Sequence, residues 1–449
     1  MEKIIYGTIV IKDKEYPFLL EGHIVKIVTH SAIFMPDFQN ETVIESIQGI
    51  THDNRDIMFL NCEFIKSFCG RPNKFTIDGY ILSINNCKEY SFQIDSLAFY
   101  SDAINMFYPP QQARTINDWR DTSKDRQITF LPTNETGCSF EFNGDKYSFS
   151  IGYSVNLRYG SKGLGEISSK IEIAFEHPIA PIKTFDYVRK IYDFLVFVNY
   201  SSNIRFDDIY IHQHNKEGLY EKCATLNFFQ NTGNYENNEL TSLTIDDIDK
   251  DKLAQLFKVA TSVRCGKNKM QLYYPDNKKD RRQIEPIKWL TKALAFEGLF
   301  EETFPEHKAK ENPSFSKIKK NILDSISKVE GGNKKERKYC EDFKNHMKRY
   351  DGILEEKFNF TQKHYKEYLS NVLLSNLRHF DIPIDTNYGN IYMKYRNNVA
   401  HGNVLPLRDE EVAVYRIMET MIYLMLLEDV SLSEKEIHTV VKKLFEYTM

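Results

Sequence analysis

Glu410–Asp429 reads EEVAVYRIMETMIYLMLLED, and half of the fold is decided by its pattern. Val412, Val414, Ile417, Met418, Met421, Ile422, Leu424 and Met425 recur mostly at helical steps and form a broad apolar surface. Such a surface packs inside a bundle, across a dimer, or both. The same period runs upstream of it. Ile284–Phe300 carries Ile287, Leu290, Leu294 and Leu299, and Phe315–Val329 has another apolar stripe. Phe358–Phe380 follows with Tyr365, Tyr368, Leu369, Val372, Leu373 and Leu377, and Ile391–His401 leads into the final helix. Gly331-Gly332-Asn333 breaks the run.

The first 175 residues have another character. Short segments rich in β-branched and aromatic residues are separated by Asp, Asn and Gly: Ile4–Ile11, Thr42–Gly49, Asp56–Leu60, Lys74–Ile84, Tyr90–Ile94, Gln127–Leu131, Lys146–Val155 and Ile171–Phe175. Their number and spacing predict an antiparallel sandwich or barrel. Pro109-Pro110 ends one segment. A helix is expected after Pro181, with Phe185, Val188, Ile191, Phe194, Leu195 and Val198 on its buried side and Ser201-Ser202-Asn203 stopping it. Ile204–His212 reads as a strand and 229–239 as a polar loop. The expected class is therefore α+β: an antiparallel β-rich domain over residues 1–250, helical segments included, then an all-α helical bundle over 251–449. A linker is expected around residues 265–283.

The chain has 449 residues, enough for two or three domains, and 41% are hydrophobic and 27% charged, which excludes global disorder. No apolar run reaches the roughly 18 residues of a membrane span. MEKIIYGTIV lacks the basic-then-apolar pattern of a secretory signal. Seven scattered cysteines make no metal framework and leave at least one unpaired in a monomer, so a reduced, cytoplasmic setting is expected. The net charge is −4, but Arg264–Arg349 holds 22 basic and 13 acidic residues, a local +9 against −13 elsewhere. Such a region attracts a polyanion or forms a solvated helical face.

The chemistry concentrates near the end. Arg396-Asn397-Asn398-Val399-Ala400-His401 sets a permanent cation and an imidazole five residues apart. On a helix that spacing means about 140° of rotation and about 7.5 Å of rise, so the two side chains do not share a face. Gly402 suggests that His401 lies at the helix end. They can converge if Arg396 reaches round, or if a second copy supplies its own motif across a symmetric groove. Histidine moves protons and arginine binds phosphate oxygens as charge develops, the two functions required when an RNA 2′-hydroxyl attacks its neighbouring phosphate. Asn397 can hold the backbone, the histidine or the substrate. Surface chemistry or structural hydrogen bonding is the alternative reading of the string.

Tyr395–Gly402 resembles the R-N-x3-H-G signature of HEPN ribonucleases. Glu45–Thr51 with Asp56–Cys62 resembles the N-terminal region of ApeA-type antiphage proteins. The resemblance implies a β-rich sensor or regulatory domain joined to a C-terminal HEPN effector. Activation would come during infection from a phage-derived trigger, with abortive infection as the outcome. The resemblance also implies metal-independent RNA cleavage by Arg396 and His401 with Asn397 in support, no cofactor, 2′,3′-cyclic phosphate ends, and a homodimer through HEPN helices. The alternative is a non-catalytic HEPN scaffold that binds RNA or a protein.

Other clusters compete less well. His212 and His214 alternate on one strand face, but two histidines do not complete a zinc shell. Cys62 and Cys69 read as core thiols, and Gly49 as a turn or core residue. Tyr159–Gly165 lacks the order of a phosphate-binding loop. Lys319, Lys320, Lys334, Lys335, Arg337 and Lys338 are candidate RNA contacts or a solvated face, with Tyr339 and Phe343 either stacking on bases or joining the helical core.

Overall fold

A computed structural model describes residues 4–28, 43–65, 74–84, 92–116, 128–130, 136–156, 166–215, 217–229, 242–262, 274–307, 313–329, 334–349, 354–376, 387–403 and 406–445. The chain forms two compact units, Met1–Ala254 and Gln255–Met449. The first is an antiparallel β structure and the second is helical, which makes the protein α+β.

The first unit opens with seven strands: β1 (Ile5–Ile11), β2 (Lys14–Glu21), β3 (Ile24–Ile27), β4 (Val43–Thr51), β5 (Asp56–Phe64), β6 (Lys74–Thr76) and β7 (Gly79–Ser83). Six of them close on themselves in the order β5-β4-β1-β2-β3-β6, with β6 returning to β5, so this part is a barrel. Closure removes the exposed edges that an open sheet presents. Alternation fills the inside: Ile5, Ile9 and Ile11 of β1 are buried, whereas Tyr6 and Val10 face out. Phe59 is fully buried and meets Phe18 and Phe75 edge-on at centroid distances of 5.2 and 6.0 Å. Truncating a ring of this kind costs about 3–5 kcal/mol.

One strand was expected over Lys74–Ile84. The chain instead bends at Ile77-Asp78 into β6 and β7, because β5 changes partner there. Asn61 sits at φ 51° in β5, and its side chain donates to Asp78 Oδ2 at 2.8 Å across the bend. Gly49, read as a turn or core residue, lies inside β4, where a Cβ would stand 2.5 Å from the Thr8 carbonyl of β1.

Beyond β7 the sheet opens into β15 (Tyr220–Phe228), β14 (Asp208–His214), β8 (Ile94–Tyr100), β13 (Glu166–Ile179), β12 (Asp145–Asn156) and β11 (Thr136–Phe142), in that order across it. β9 (Arg114–Ile116) and β10 (Ile128–Phe130) form a separate pair. The expected Tyr90–Ile94 strand begins only at Ile94; 85–91 lie outside the described residues. Helix α1 (Asp102–Phe107) is capped by the Ser101 hydroxyl, and α2 (Thr184–Asn199) covers this open part of the sheet. Phe194 of α2 meets Phe107 and Phe149 edge-on, and Tyr187 meets Tyr147 and Phe175. α2 ends where Tyr200 turns left-handed at φ 46°, one residue ahead of the serines expected to stop it. The polar stretch 229–239 lies outside the described residues apart from Phe229.

Helix α3 (Leu253–Ser262) starts at the junction of the units, and residues 263–273 lie outside the described set. The second unit continues with α4 (Lys278–Arg282), α5 (Pro286–Thr303), α6 (Pro313–Lys328), α7 (Lys334–Arg349), α8 (Leu354–His364), α9 (Lys366–Asn376), α10 (Tyr388–Ala400), α11 (Asp409–Leu427) and α12 (Glu434–Phe445). α8 and α9 replace the single helix expected over Phe358–Phe380. The break is at Tyr365, whose hydroxyl donates to Glu428 at 2.9 Å. α11 is not the last helix either, since the amphipathic α12 follows it.

α11 is buried around nearly its whole circumference and packs on α5, α10 and α9. Its wide apolar surface is therefore covered within one chain, and the dimer expectation receives no support from this helix. The bundle core also holds charge. Lys292 Nζ of α5 lies 2.8 Å from Glu419 Oε1 of α11, and Arg416 Nη1 donates to Glu419 Oε2 at 3.1 Å. Arg416 Nη2 donates to the Arg281 carbonyl at 2.8 Å, and Arg281 donates to the Leu444 carbonyl. Burial alone would raise the Glu419 carboxyl, but Lys292, Arg281 and Arg416 outweigh it and hold the group well below the usual carboxylate range. No helix among the described residues is long and apolar enough to cross a membrane.

Candidate functional site

Helix α10 carries the Arg396–His401 string, and its sequence explains how it sits. Tyr388, Tyr392 and Tyr395 fall at steps of four and three, so they share one face, and all three are buried. Tyr392 stacks on Trp289 of α5 at 5.5 Å and on Phe358 of α8 at 4.8 Å. The helix starts at Asn387, whose side chain accepts from the Asn390 N–H. Two residues beyond that cap, the Gly389 N–H donates to Asn359 Oδ1 at 3.0 Å, and a Cβ at Gly389 would stand 2.5 Å from the Glu355 carbonyl. Glycine is what lets α10 approach α8 this closely.

The other end is a Schellman motif. The Asn403 N–H donates to the Asn398 carbonyl at 2.9 Å and the Gly402 N–H to the Val399 carbonyl at 3.0 Å, with Gly402 at φ 77°. His401 is the C-cap, its backbone N–H bonded to the Asn397 carbonyl at 3.1 Å. This cap fixes the His401 backbone, and the residue stays exposed.

Arg396 is held differently. It follows Tyr392 by one turn and points at α5, where Nε donates to Glu297 Oε1 at 3.1 Å and Nη2 to Glu297 Oε2 at 3.4 Å. The Tyr392 hydroxyl donates to the same Oε1 at 3.0 Å. Burial pushes the Tyr392 phenol well above its ordinary value, with the Glu297 charge adding to the effect, so the hydroxyl stays a donor. Arg396 and Glu297 keep 24% and 20% side-chain exposure, which leaves the pair at the bundle surface. A guanidinium has five N–H donors; two run to Glu297, and three more are available to an anion.

Among the described residues Arg396 bonds to Glu297 and no hydrogen bond joins it to His401. Asn397 is exposed, and its backbone carbonyl accepts from the His401 N–H. Glu297 and Tyr392 were not legible as site residues. The four-residue step from Tyr392 to Arg396 was a signal, but Glu297 lies 99 residues earlier.

The remaining candidates go to separate places. Lys319 and Lys320 lie on α6, and Lys334, Lys335, Arg337 and Lys338 on the first turns of α7. Tyr339 and Phe343 do not join the helical core; they are 61% and 63% exposed. His212 lies beside Ser96, 3.2 Å from its hydroxyl, and Glu172, whereas the His214 backbone N–H and ring both meet Asp95. Cys62 is buried in the barrel, where burial pushes its thiol up to about 12. Cys69 and Tyr159–Gly165 lie outside the described residues. Glu367 of α9 with Glu434 and His438 of α12 place ligand atoms within 4.8 Å of one another, and both carboxylates are exposed. The chain matches no family model, no curated protein and no solved structure.

Proposed function

We propose that the chain is a cytoplasmic HEPN-type endoribonuclease of the ApeA kind, acting in antiphage defence, with Arg396 and His401 as its catalytic residues. The observation that carries this reading is the construction of the R-x4-H string. The arginine is oriented by a carboxylate with further donors available, and the histidine is exposed on a capped helix end.

The chemistry follows from RNA's own nucleophile. A 2′-hydroxyl loses its proton to a base, its oxygen forms a bond to phosphorus, and the P–O5′ bond breaks. The departing 5′-oxygen takes up a proton, leaving a 2′,3′-cyclic phosphate and a 5′-hydroxyl. His401 is the proton-transfer group, and Arg396 binds the phosphate oxygens as negative charge builds. Asn397, exposed beside Arg396, supports substrate or motif. The route calls on no metal or cofactor, and DNA, without the 2′-hydroxyl, is excluded as a substrate. Because one helix sends the two side chains to different faces, a homodimer that pairs two motifs across a groove completes the site. The β-rich unit is assigned the regulatory or infection-sensing part.

Intact protein and the Arg396→Ala/His401→Ala double variant, both checked for folding, are compared on RNA in vitro and in infected cells. RNA loss by the first and not the second supports the assignment; equal cleavage rejects it. Mixing the two single variants tests the shared site, since each supplies what the other lacks. A non-catalytic RNA- or protein-binding scaffold is the second reading. The Glu297 carboxylate favours it, because it already neutralises Arg396. Protection of cells by the double variant, with RNA intact, selects that reading.

A further inference from the structure

Helices α6 and α7 are built unlike the rest of the second unit. They pack on each other, and among their described side chains none is buried. The half-buried positions on α6, Ser316, Lys319, Leu323 and Ile326, recur at steps of three, four and three; those on α7, Cys340 and Lys344, are four apart. These stripes account for the packing within the hairpin. A second face is left in water: Tyr339 and Phe343, four residues apart and therefore on one side of α7, are 61% and 63% exposed. Exposed aromatic rings at helical spacing on a charged element mark an interaction surface.

The charge identifies the occupant. α6 and α7 together hold 11 basic and 4 acidic residues, a net +7, in a chain whose total is −4. Lys334, Lys335 and Lys338 precede the two rings on the same helix and are exposed. A second copy of the hairpin would bring another +7 against it, whereas a polyanion relieves the repulsion. Rings beside cations fit a strand whose bases are unstacked, since a duplex hides the base faces on which a ring stacks.

We propose that the α6–α7 hairpin is a docking arm for single-stranded RNA, with Tyr339 and Phe343 stacking on bases and Lys334, Lys335 and Lys338 holding phosphates. This deepens the ribonuclease reading and rests on it for the choice of RNA. It assigns the arm no part in the chemical step.

The test uses full-length protein carrying His401→Ala, so that the probe is not consumed, and a labelled oligouridylate, alone or annealed to oligoadenylate. Single-stranded oligouridylate binds more tightly than the duplex. Tyr339→Ala/Phe343→Ala weakens single-strand binding tenfold or more, in line with about 5- to 150-fold for each stacked base. Tyr339→Phe/Phe343→Tyr keeps both rings and restores it. Lys334→Gln/Lys335→Gln/Lys338→Gln lowers the slope of log affinity against log salt by about 2, at about 0.7 for each phosphate no longer neutralised. Equal binding by the ring variant overturns the proposal. So does a ring variant that loses self-association in sedimentation while binding RNA unchanged, for the face is then an interface between copies. Cleavage by otherwise intact protein separates the two readings. RNA bound through the rings but never cut leaves the arm standing and removes the nuclease, and RNA cut equally well with or without the rings does the reverse.

Discussion

Two of the ion pairs on helix α5 stand five residues apart, and they are made to different specifications. At Lys292 the partners are sealed: Lys292 and Glu419 keep 6% and 2% side-chain exposure, and Arg416 closes the other side of the carboxylate. At Glu297 the partners stand at the surface, with 20% and 24% exposure for Glu297 and Arg396. A sealed pair cannot lose a member without stranding charge where water does not reach. A surface pair can exchange its partner for a passing anion, because solvent already shares the work of stabilising both charges. One helix thus holds a pair that fixes the fold and a pair available to a ligand.

The largest expected effect lies at the sealed pair. Glu419→Ala leaves Lys292 and Arg416 buried without their carboxylate and destabilises the helical unit by about 3–5 kcal/mol. Denaturant unfolding followed through the helical circular dichroism signal measures it. An unchanged midpoint would mean that these charges do not hold the bundle, and the two pairs would then not differ in the way their burial implies.

Acid probes the same sealed pair. Burial raises the Glu419 carboxyl, but Lys292, Arg281 and Arg416 bring it below its ordinary value. In the unfolded chain a glutamate takes its proton near about pH 4.3. The unfolded state therefore binds the proton first, and stability from this group is present above that pH and declines as pH falls below it. Unfolding midpoints measured from neutral pH into acid drop more steeply for the native protein than for Glu419→Gln. Parallel curves would show that the pair titrates alike in both states.

At the surface pair the balance reverses, with function changing more than stability. Glu297→Gln costs under about 1 kcal/mol of stability. It loosens the orientation of Arg396 and lowers RNA cleavage by about tenfold, since misplacing a group that stabilises the transition state reduces its contribution. Arg396→Lys does not restore the rate, because a lysine lacks the planar fork that answers a carboxylate on one side and a phosphate on the other. Stability curves and single-turnover rates on the same preparations compare the two quantities. A loss of stability as large as that of Glu419→Ala would make both pairs structural.

The sequence showed the elements whose signals are local. The α2 and α11 stripes were read from their period, and β1, β4 and β12 from their β-branched and aromatic runs. The β1–β2 hairpin was missed because Lys12 and Asp13 make its turn at φ 47° and 62°, where such a two-residue turn usually shows Asn-Gly. β2 also contains Pro17, which speaks against a strand by composition. Barrel closure could not be read, since it depends on β6 pairing with both β3 and β5. In the candidate site, Gly402 did announce the helix end. Arg396 and His401 were visible as types and spacing, but Glu297 and the sealed Lys292–Glu419 pair are contacts over 99 and 127 residues with no local signature.

The smallest effect tests how Glu297 is itself held. The Tyr392 ring is packed between Trp289 and Phe358, and its hydroxyl reaches Glu297 Oε1 at 3.0 Å and, less closely, the Ala293 carbonyl at 3.4 Å. Tyr392→Phe keeps the ring and its packing and removes only that donor. Glu297 retains Arg396 and the water that its exposure admits, so its oxygen is not stranded, and the loss is about 1 kcal/mol. The effect on cleavage follows the same chain from hydroxyl to carboxylate to guanidinium and amounts to a few-fold. A double-mutant cycle isolates it: in a Glu297→Ala background the hydroxyl has lost its nearer acceptor, so Tyr392→Phe changes the rate little. If the two substitutions simply add, Tyr392 acts through packing rather than through Glu297, and the surface pair is oriented from Arg396 alone.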